Sequence, residues 1–301
     1  MINKRISSII LALALTVAVS APQAFAQNAT TNQSGNNNVK TDGRMIYHNG
    51  EVIDWRNPVV YLIWYGTFGA DVDTQLILAD FISSIGSTPY FQINSTYPDA
   101  SGHTPTGALT YGGSGLDGNY SHGVELTAAD IQGIVADAIL HGQVPFDPSA
   151  FYIVIASADV SSTATGFCVP NAPPHHGHGT VNGSTFRYGF VGHAMRCPII
   201  AASQFEPQYD GSHLPTPNNN LGGDAMVSTL AHVLDTIVTD PLGDGWFDRY
   251  GLENADKCAG TFGQTYLTAN GARANMRLAR RDFLIQQNWV NDRKARCALS
   301  R

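Results

Sequence analysis

Residues 224–258 read DAMVSTLAHVLDTIVTDPLGDGWFDRYGLENADKC, and this stretch decides how the chain is organised. Val227, Leu230, Ala231, Leu234 and Val238 recur at helical spacing, Asp224 is a good N-cap, and Pro241 forbids continuation. Together they predict a helix over 225–239 whose apolar stripe faces a core. On its flank Ser228, His232, Asp235 and Thr239 follow one another by four, three and four positions. That spacing makes one polar line beside the buried stripe, expected to border a cleft. Downstream, Asp240, Asp244, Asp248, Glu253 and Asp256 supply hard oxygen donors on loops that can fold back towards His232.

A metalloprotease helix places two ligands one turn apart, with a carboxylate beside the first to activate the bound water. Here Val233 follows His232, and Thr236 stands four positions on, so the general base and the second helical ligand are both missing. Asp235 still points roughly the same way as His232. The residues therefore carry two readings. One is a structural His and Asp on a helix flank; the other is a surviving zinc site on His232, Asp235, Glu253 and Asp256.

Outward from this helix, two continuous apolar runs rich in β-branched and aromatic residues, Val59–Tyr65 and Phe151–Ala156, read as strands buried on both faces. A helix from Asp71 or Asp73 through Ile85 follows the first, and a capping-box start at Thr127–Asp130 opens another running to His141. Repeated strand and helix predicts an α/β single domain with a mostly parallel or mixed sheet and packed helices. Pro89–Asn94 and Gly107–Tyr111 look like short strands, the latter followed by a turn-rich GGSGLDGNYSHG, and Gly271–Ile285 like a cationic amphipathic helix. The glycine-rich loop lacks the Lys and strand-to-helix context of a phosphate cradle. His175, His176 and His178 lie within four residues, a transition-metal candidate or a solvated loop. Asn94, Asn119 and Asn182 open glycosylation-type triplets.

Lys4 and Arg5, the apolar run Ile9–Val19 and Ala24-Phe25-Ala26 read as a secretory signal over 1–26. Residues 27–44 are polar and low in complexity, a disordered leader by composition, which leaves 45–301 as the folded domain. Removing the two signal cations leaves 17 − 2 = 15 Lys and Arg against 24 Asp and Glu, a net charge near −9, so a nucleic-acid partner is not expected. No stretch approaches the roughly 20 apolar residues of a membrane span. Four cysteines in an exported chain read as two disulfides. The sequential pairing, Cys168 with Cys197 and Cys258 with Cys297, is preferred among the three possible because each pair flanks one loop-rich segment.

The chain resembles the EXORDIUM and phosphate-induced protein family of secreted plant proteins, from about residue 59 to 297. The likeness is carried by Tyr61-Leu62-Ile63-Trp64-Tyr65-Gly66, Tyr120-Ser121-His122-Gly123, Phe167-Cys168, Cys197-Pro198, Met226-Val227-Ser228, Ala231-His232, Thr239-Asp240-Pro241-Leu242, Trp246 and the Glu253, Asp256, Cys258 set. It implies a disulfide-stabilised protein of the extracellular space or cell wall, possessed of a zincin-like architecture. Similar family members read Ala-His-Glu-x-x-Glu on the central helix, a pattern like a zinc site. With Val233 and Thr236 there, the expectation is a non-catalytic protein with a degenerate metal site whose partner is an extracellular protein or cell-wall component. The rival is a zinc-dependent hydrolase, a peptidase, using His232 and nearby carboxylates. A third reading is a carbohydrate-binding wall protein using Trp246, Tyr250 or Tyr111.

Overall fold

The computed structural model describes residues 43–69, 71–164, 168, 174–205 and 215–301. The signal over 1–26, nearly all of the leader over 27–44 and Phe167 lie outside the described residues. In chain order the elements begin with β1 (Met45–Tyr47), β2 (Val59–Tyr65), α1 (Val72–Ile85), β3 (Thr110–Asp117), β4 (Glu125–Leu126), α2 (Ala128–Leu140) and β5 (Ala150–Ala156). They continue with β6 (Ser161–Ser162), β7 (His176–Val181), β8 (Ser184–Val191), α3 (Pro198–Ser203), α4 (Leu221–Thr239) and β9 (Trp246–Asp248).

The two apolar runs are the centre of a five-stranded mixed sheet ordered β3-β2-β5-β8-β7. Its first four strands are parallel, and β7 runs antiparallel to β8 at the edge. Strand periodicity divides the core in two. Val60, Leu62, Trp64, Phe151, Ile153 and Ile155 join α1 and α4 on one face. Ile63, Tyr65, Tyr152, Val154, Phe186 and Phe190 join α2 on the other. The result is the three-layer α/β arrangement that fully buried parallel strands require.

α2 starts with the anticipated capping box, Thr127 accepting from the Asp130 N–H while the Asp130 carboxylate accepts from the Thr127 N–H. α4 starts earlier than anticipated. Asn220 is its cap, accepting the Gly223 N–H at 2.8 Å, and Asp224 sits buried in the first turn where it accepts from the backbone and side chain of Asn218. Local preference pointed to an Asp; the tighter loop made by Asn218 and Asn220 won.

Three expectations need correction. Residues 91–96 form a 3-10 turn, not a strand, because Thr88, Thr96 and Ser95 hydroxyls bond back to carbonyls three positions earlier. β3 runs through Gly112–Asp117, residues expected in a turn; the parallel ladder to β2 supplies its bonds, and a Cβ at Gly112 would strike Val59 and Tyr61. Gly271–Ile285 is not a helix. Met276–Leu278 and Arg281–Phe283 pair as a hairpin turning at Ala279, whose φ is +49°. The expected ionic partners are present even so: Arg281 Nε lies 2.6 Å from Asp80, and Arg277 bonds Asp282.

Both disulfides form in sequential order, Cys168–Cys197 and Cys258–Cys297. Beside the second, Lys257 is fully buried, paired with Asp248 at 3.1 Å and held 4.7 Å from the centre of the Trp289 ring. The segment after α4 is thereby tied to the C-terminal tail.

α4 approaches the sheet closely at one point: Gly189 of β8 has no side chain, and the Val233 methyl fills the space a Cβ would need. Gly189→Ala should therefore cost about 1–3 kcal/mol by overpacking, measured by chemical denaturation. Adding Val233→Ala should recover part of that loss in a double-mutant cycle; strictly additive effects would place the strain elsewhere.

Candidate functional site

α4 is buried around nearly its whole circumference, so its polar line does not border a cleft. Ser228, His232, Asp235 and Thr239 are all buried, covered by the loop through Glu253–Cys258, the 3-10 turn at 91–96 and the strand region around Gln286–Asn288. A buried polar group without a partner costs several kcal/mol, so each of these residues has to be answered.

The answers separate the anticipated ligands into two groups. His232 Nε2 lies 2.9 Å from Asp256 Oδ1, and its Nδ1 lies 3.3 Å from Gln286 Oε1. Gln286 is oriented by its amide nitrogen, which donates to the Ala255 carbonyl at 3.0 Å. Asp256 Oδ2 accepts the Glu253 N–H at 2.9 Å. Asp235 belongs to a different cluster: Tyr90 donates to one oxygen and Asn94 to the other, both at 2.7 Å. Burial pushes the Asp235 carboxyl up to about 7, against the opposing pull of those two hydrogen bonds.

Glu253 meets a residue that the sequence had set apart. His176, the first residue of β7, places Nε2 at 3.0 Å from both Glu253 oxygens. Burial alone would lower the His176 pKa, but the Glu253 carboxylate, reinforced by Asp240 and Asp256, carries it up to about 9. Burial likewise raises Glu253, to about 7, even beside its partner. Neighbouring His175 is driven the other way, to about 4, by burial and then by the charge on His176. His178 is exposed, so the three histidines do not act together. The link from position 176 to position 253 crosses from a sheet edge to a loop beyond α4, and no local sequence signal announces it.

The centre is thus a line of two histidine–carboxylate pairs, His232 with Asp256 and His176 with Glu253, joined through the Glu253 N–H. Zinc needs three or four donors around one point at about 2.0–2.3 Å. Donor atoms of His232, Asp235, Glu253 and Asp256 do not gather in that way. Among the described residues, the group with three donor atoms within 4.8 Å of one another is Asp54, Asp99 and His103, with Asp54 and His103 exposed. The Nδ1 of His176 has no hydrogen-bond partner, a single donor that does not make up the missing set. The residues as arranged do not fit one zinc centre.

Val233, at the position where a base would be wanted, lies in the apolar layer over Gly189, which is in register with His176. Thr236 returns its hydroxyl to the backbone carbonyls of His232 and Val233. Asn94 is fully buried on Asp235 and cannot carry a glycan, whereas Asn119 and Asn182 are exposed. Trp246 donates its indole N–H to the Pro98 carbonyl, and Tyr250 is 46 % exposed.

Comparison with known proteins adds a family. The Phosphate-induced protein 1 conserved region matches residues 45–298. The chain is 30% identical over 275 residues to Protein EXORDIUM-like 3 of Arabidopsis thaliana, covering 82% of this chain and 80% of that one. It is 30% identical over 243 residues to Protein EXORDIUM of the same plant, covering 72% and 74%. With Protein PHOSPHATE-INDUCED 1 of Nicotiana tabacum the identity is 29% over 237 residues, covering 72% of each. No solved structure matches the chain.

The His176–Glu253 pair has a pH signature. A histidine whose folded pKa exceeds its unfolded value of about 6.5 contributes stability below that value and loses it as pH rises towards about 9. Asp235 and Glu253, both raised to about 7, add a loss of the same sign that ends roughly one unit above pH 7. Unfolding free energy should therefore fall between about pH 7 and 9, and Glu253→Gln should flatten that slope. NMR titration of the His176 ring should show its midpoint drop by at least about one unit in the variant; an unchanged midpoint would dismiss Glu253 as the cause.

Proposed function

The chain belongs to the phosphate-induced protein 1 family, and on that premise we propose that it is a secreted protein of the extracellular space or cell wall that acts by binding, without catalysis. Residues 1–26 serve as the signal, 27–44 as a leader and 45–301 as the functional domain. Two disulfides suit an oxidising compartment. No helix among the described residues is long and apolar enough to cross a membrane. The partner is an extracellular protein or a cell-wall component.

One observation carries the non-catalytic reading: both ring nitrogens of His232 face oxygens of the protein itself, Asp256 and Gln286. The residue next to it is an apolar Val233 packed on the sheet. A hydrolytic centre would need a base beside a metal-bound water, and Val233 accepts no proton. His232, Asp235, Glu253 and Asp256 are on this reading the remnant of a zincin-type metal site in a zincin-like domain. The two pairs now brace the loop after α4 against the sheet edge.

Protein purified without chelators or an affinity tag and dialysed should retain well under one equivalent of zinc by mass spectrometry, and should not cleave a casein panel above background. Loss of general-base assistance alone lowers a rate by about 10²- to 10⁴-fold. One retained equivalent together with cleavage abolished by His232→Ala would replace this reading with a zinc-dependent peptidase.

A further inference from the structure

The sheet reverses its strand order between β2 and β5. From β2 the chain passes through α1 to β3 on one side, then through α2 back to β5 on the other. Open α/β sheets take ligands at the carboxyl ends of the strands flanking such a reversal. Here the ends of β2, β5 and β8 bring Thr67 and Phe68, Ser157 and Ala158, and His193 around an open cleft of about 420 Å³, with Asp71 contributed from the start of α1. That size suits a small ligand. Gly66 makes the close approach possible: its φ is +94°, and a Cβ there would strike the Ser157 hydroxyl.

The polar groups are built in. His193 is 3 % exposed and places Nε2 at 2.6 Å from Asp71 Oδ2, while its Nδ1 accepts the Met195 N–H at 3.2 Å. Since Nδ1 accepts, Nε2 carries the hydrogen and donates it to Asp71. Asp71 Oδ1 accepts from Thr74 at 2.6 Å. Ser157 donates to Asp159 at 2.5 Å, and Tyr120 donates to the other Asp159 oxygen at 2.7 Å. Ser157 and His193 thus resemble a nucleophile and base in type only. The serine proton is already given to a carboxylate and both imidazole nitrogens are engaged, so the cleft is equipped to bind and not to transfer an acyl group.

Charge narrows the ligand. Among the described residues no Lys or Arg lines the cleft, so a phosphate or carboxylate ligand finds no cationic donor there and meets the Asp71 carboxylate instead. A cationic ligand is also disfavoured, because both Asp71 oxygens already accept hydrogen bonds, one from His193 and one from Thr74. Carboxylate and hydroxyl groups with an apolar edge from Phe68 remain.

We propose that this cleft binds a neutral, hydroxyl-rich ligand, a mono- or disaccharide unit, with Asp71 accepting from its hydroxyl groups, Thr67 pairing with it from the rim and Phe68 against its C–H face. This site is separate from the His232 centre and does not depend on how that centre is read. Isotope-labelled full-length mature protein is titrated with D-glucose, D-galactose, L-arabinose and cellobiose, and in parallel with methylammonium and inorganic phosphate. At least one sugar should give saturable NMR shifts at Thr67, Phe68, Ala158 and the His193 ring, with a millimolar or tighter Kd. Thr67 is exposed, so Thr67→Arg should keep the thermal midpoint while weakening that sugar at least tenfold. The proposal is overturned by the absence of saturable shifts with every sugar up to about 100 mM, by shifts centred elsewhere, by an affinity that Thr67→Arg leaves intact, or by tighter binding of methylammonium or phosphate.

Discussion

A helix buried on nearly every side must have each of its buried polar side chains answered, and α4 imposes that requirement on segments from both halves of the domain. Asp224 is met by Asn218, Ser228 by the Gln286 N–H, His232 by Asp256 and Gln286, and Asp235 by Tyr90 and Asn94. These partners come from segments far apart in sequence, and leaving any donor or acceptor unmet in that setting would cost about 1–3 kcal/mol. The irregular strands and turns after Pro241 deliver Asp256 and Gln286, while Asn218, Tyr90 and Asn94 come from segments before α4. Cys258–Cys297 and the buried Lys257–Asp248 pair hold the delivery in place. A buried ion pair is weak evidence of added stability, but truncating one partner would leave a charge stranded.

The same requirement explains why a potential ligand set becomes a bracing network. Two carboxylates and two imidazoles can bind a metal or one another. With Val233 seated over Gly189 and Thr236 bonded to its own helix, nothing on α4 draws the donors to one point. His176 takes Glu253 and His232 takes Asp256, which fastens the edge strand β7 and the loop beyond α4 to the same buried core. The open cleft lies elsewhere, at the strand ends where the sheet order reverses, and its polar groups are held by hydrogen bonds to Asp71, Thr74 and Asp159 while its rim remains accessible.

Much of this was legible from residues. Continuous apolar runs gave β2 and β5 because strands buried on both faces have no polar alternation to obscure them. The capping box located α2, and Pro241 located the end of α4. The disulfide order matches the pairing preferred among three because each pair flanks one loop-rich segment. Misreadings occurred where tertiary contacts overrule local preference. Glycines in β3 read as a turn, yet the missing side chain of Gly112 lets the strand lie against Val59 and Tyr61. The arginines of 271–285 suggested a helical face, but Arg277 answers Asp282 across a hairpin and Arg281 answers Asp80 on α1. At the site, His232, Glu253 and Asp256 were visible as a set, whereas the turning of Asp235 to Tyr90 and of His176 to Glu253 depends on contacts across 145 and 77 residues. Periodicity carries no information about such pairings.

The central claim is that the polar centre beside α4 is completed by the protein's own groups. Its most direct test is anomalous diffraction at the zinc edge from crystals grown with excess zinc, because this locates an ion independently of affinity and activity. The account requires no anomalous peak among His176, His232, Glu253 and Asp256, with His232 still bonded to Asp256 and Gln286. A peak bound by His232 and two or more of those residues at about 2.0–2.2 Å would contradict it.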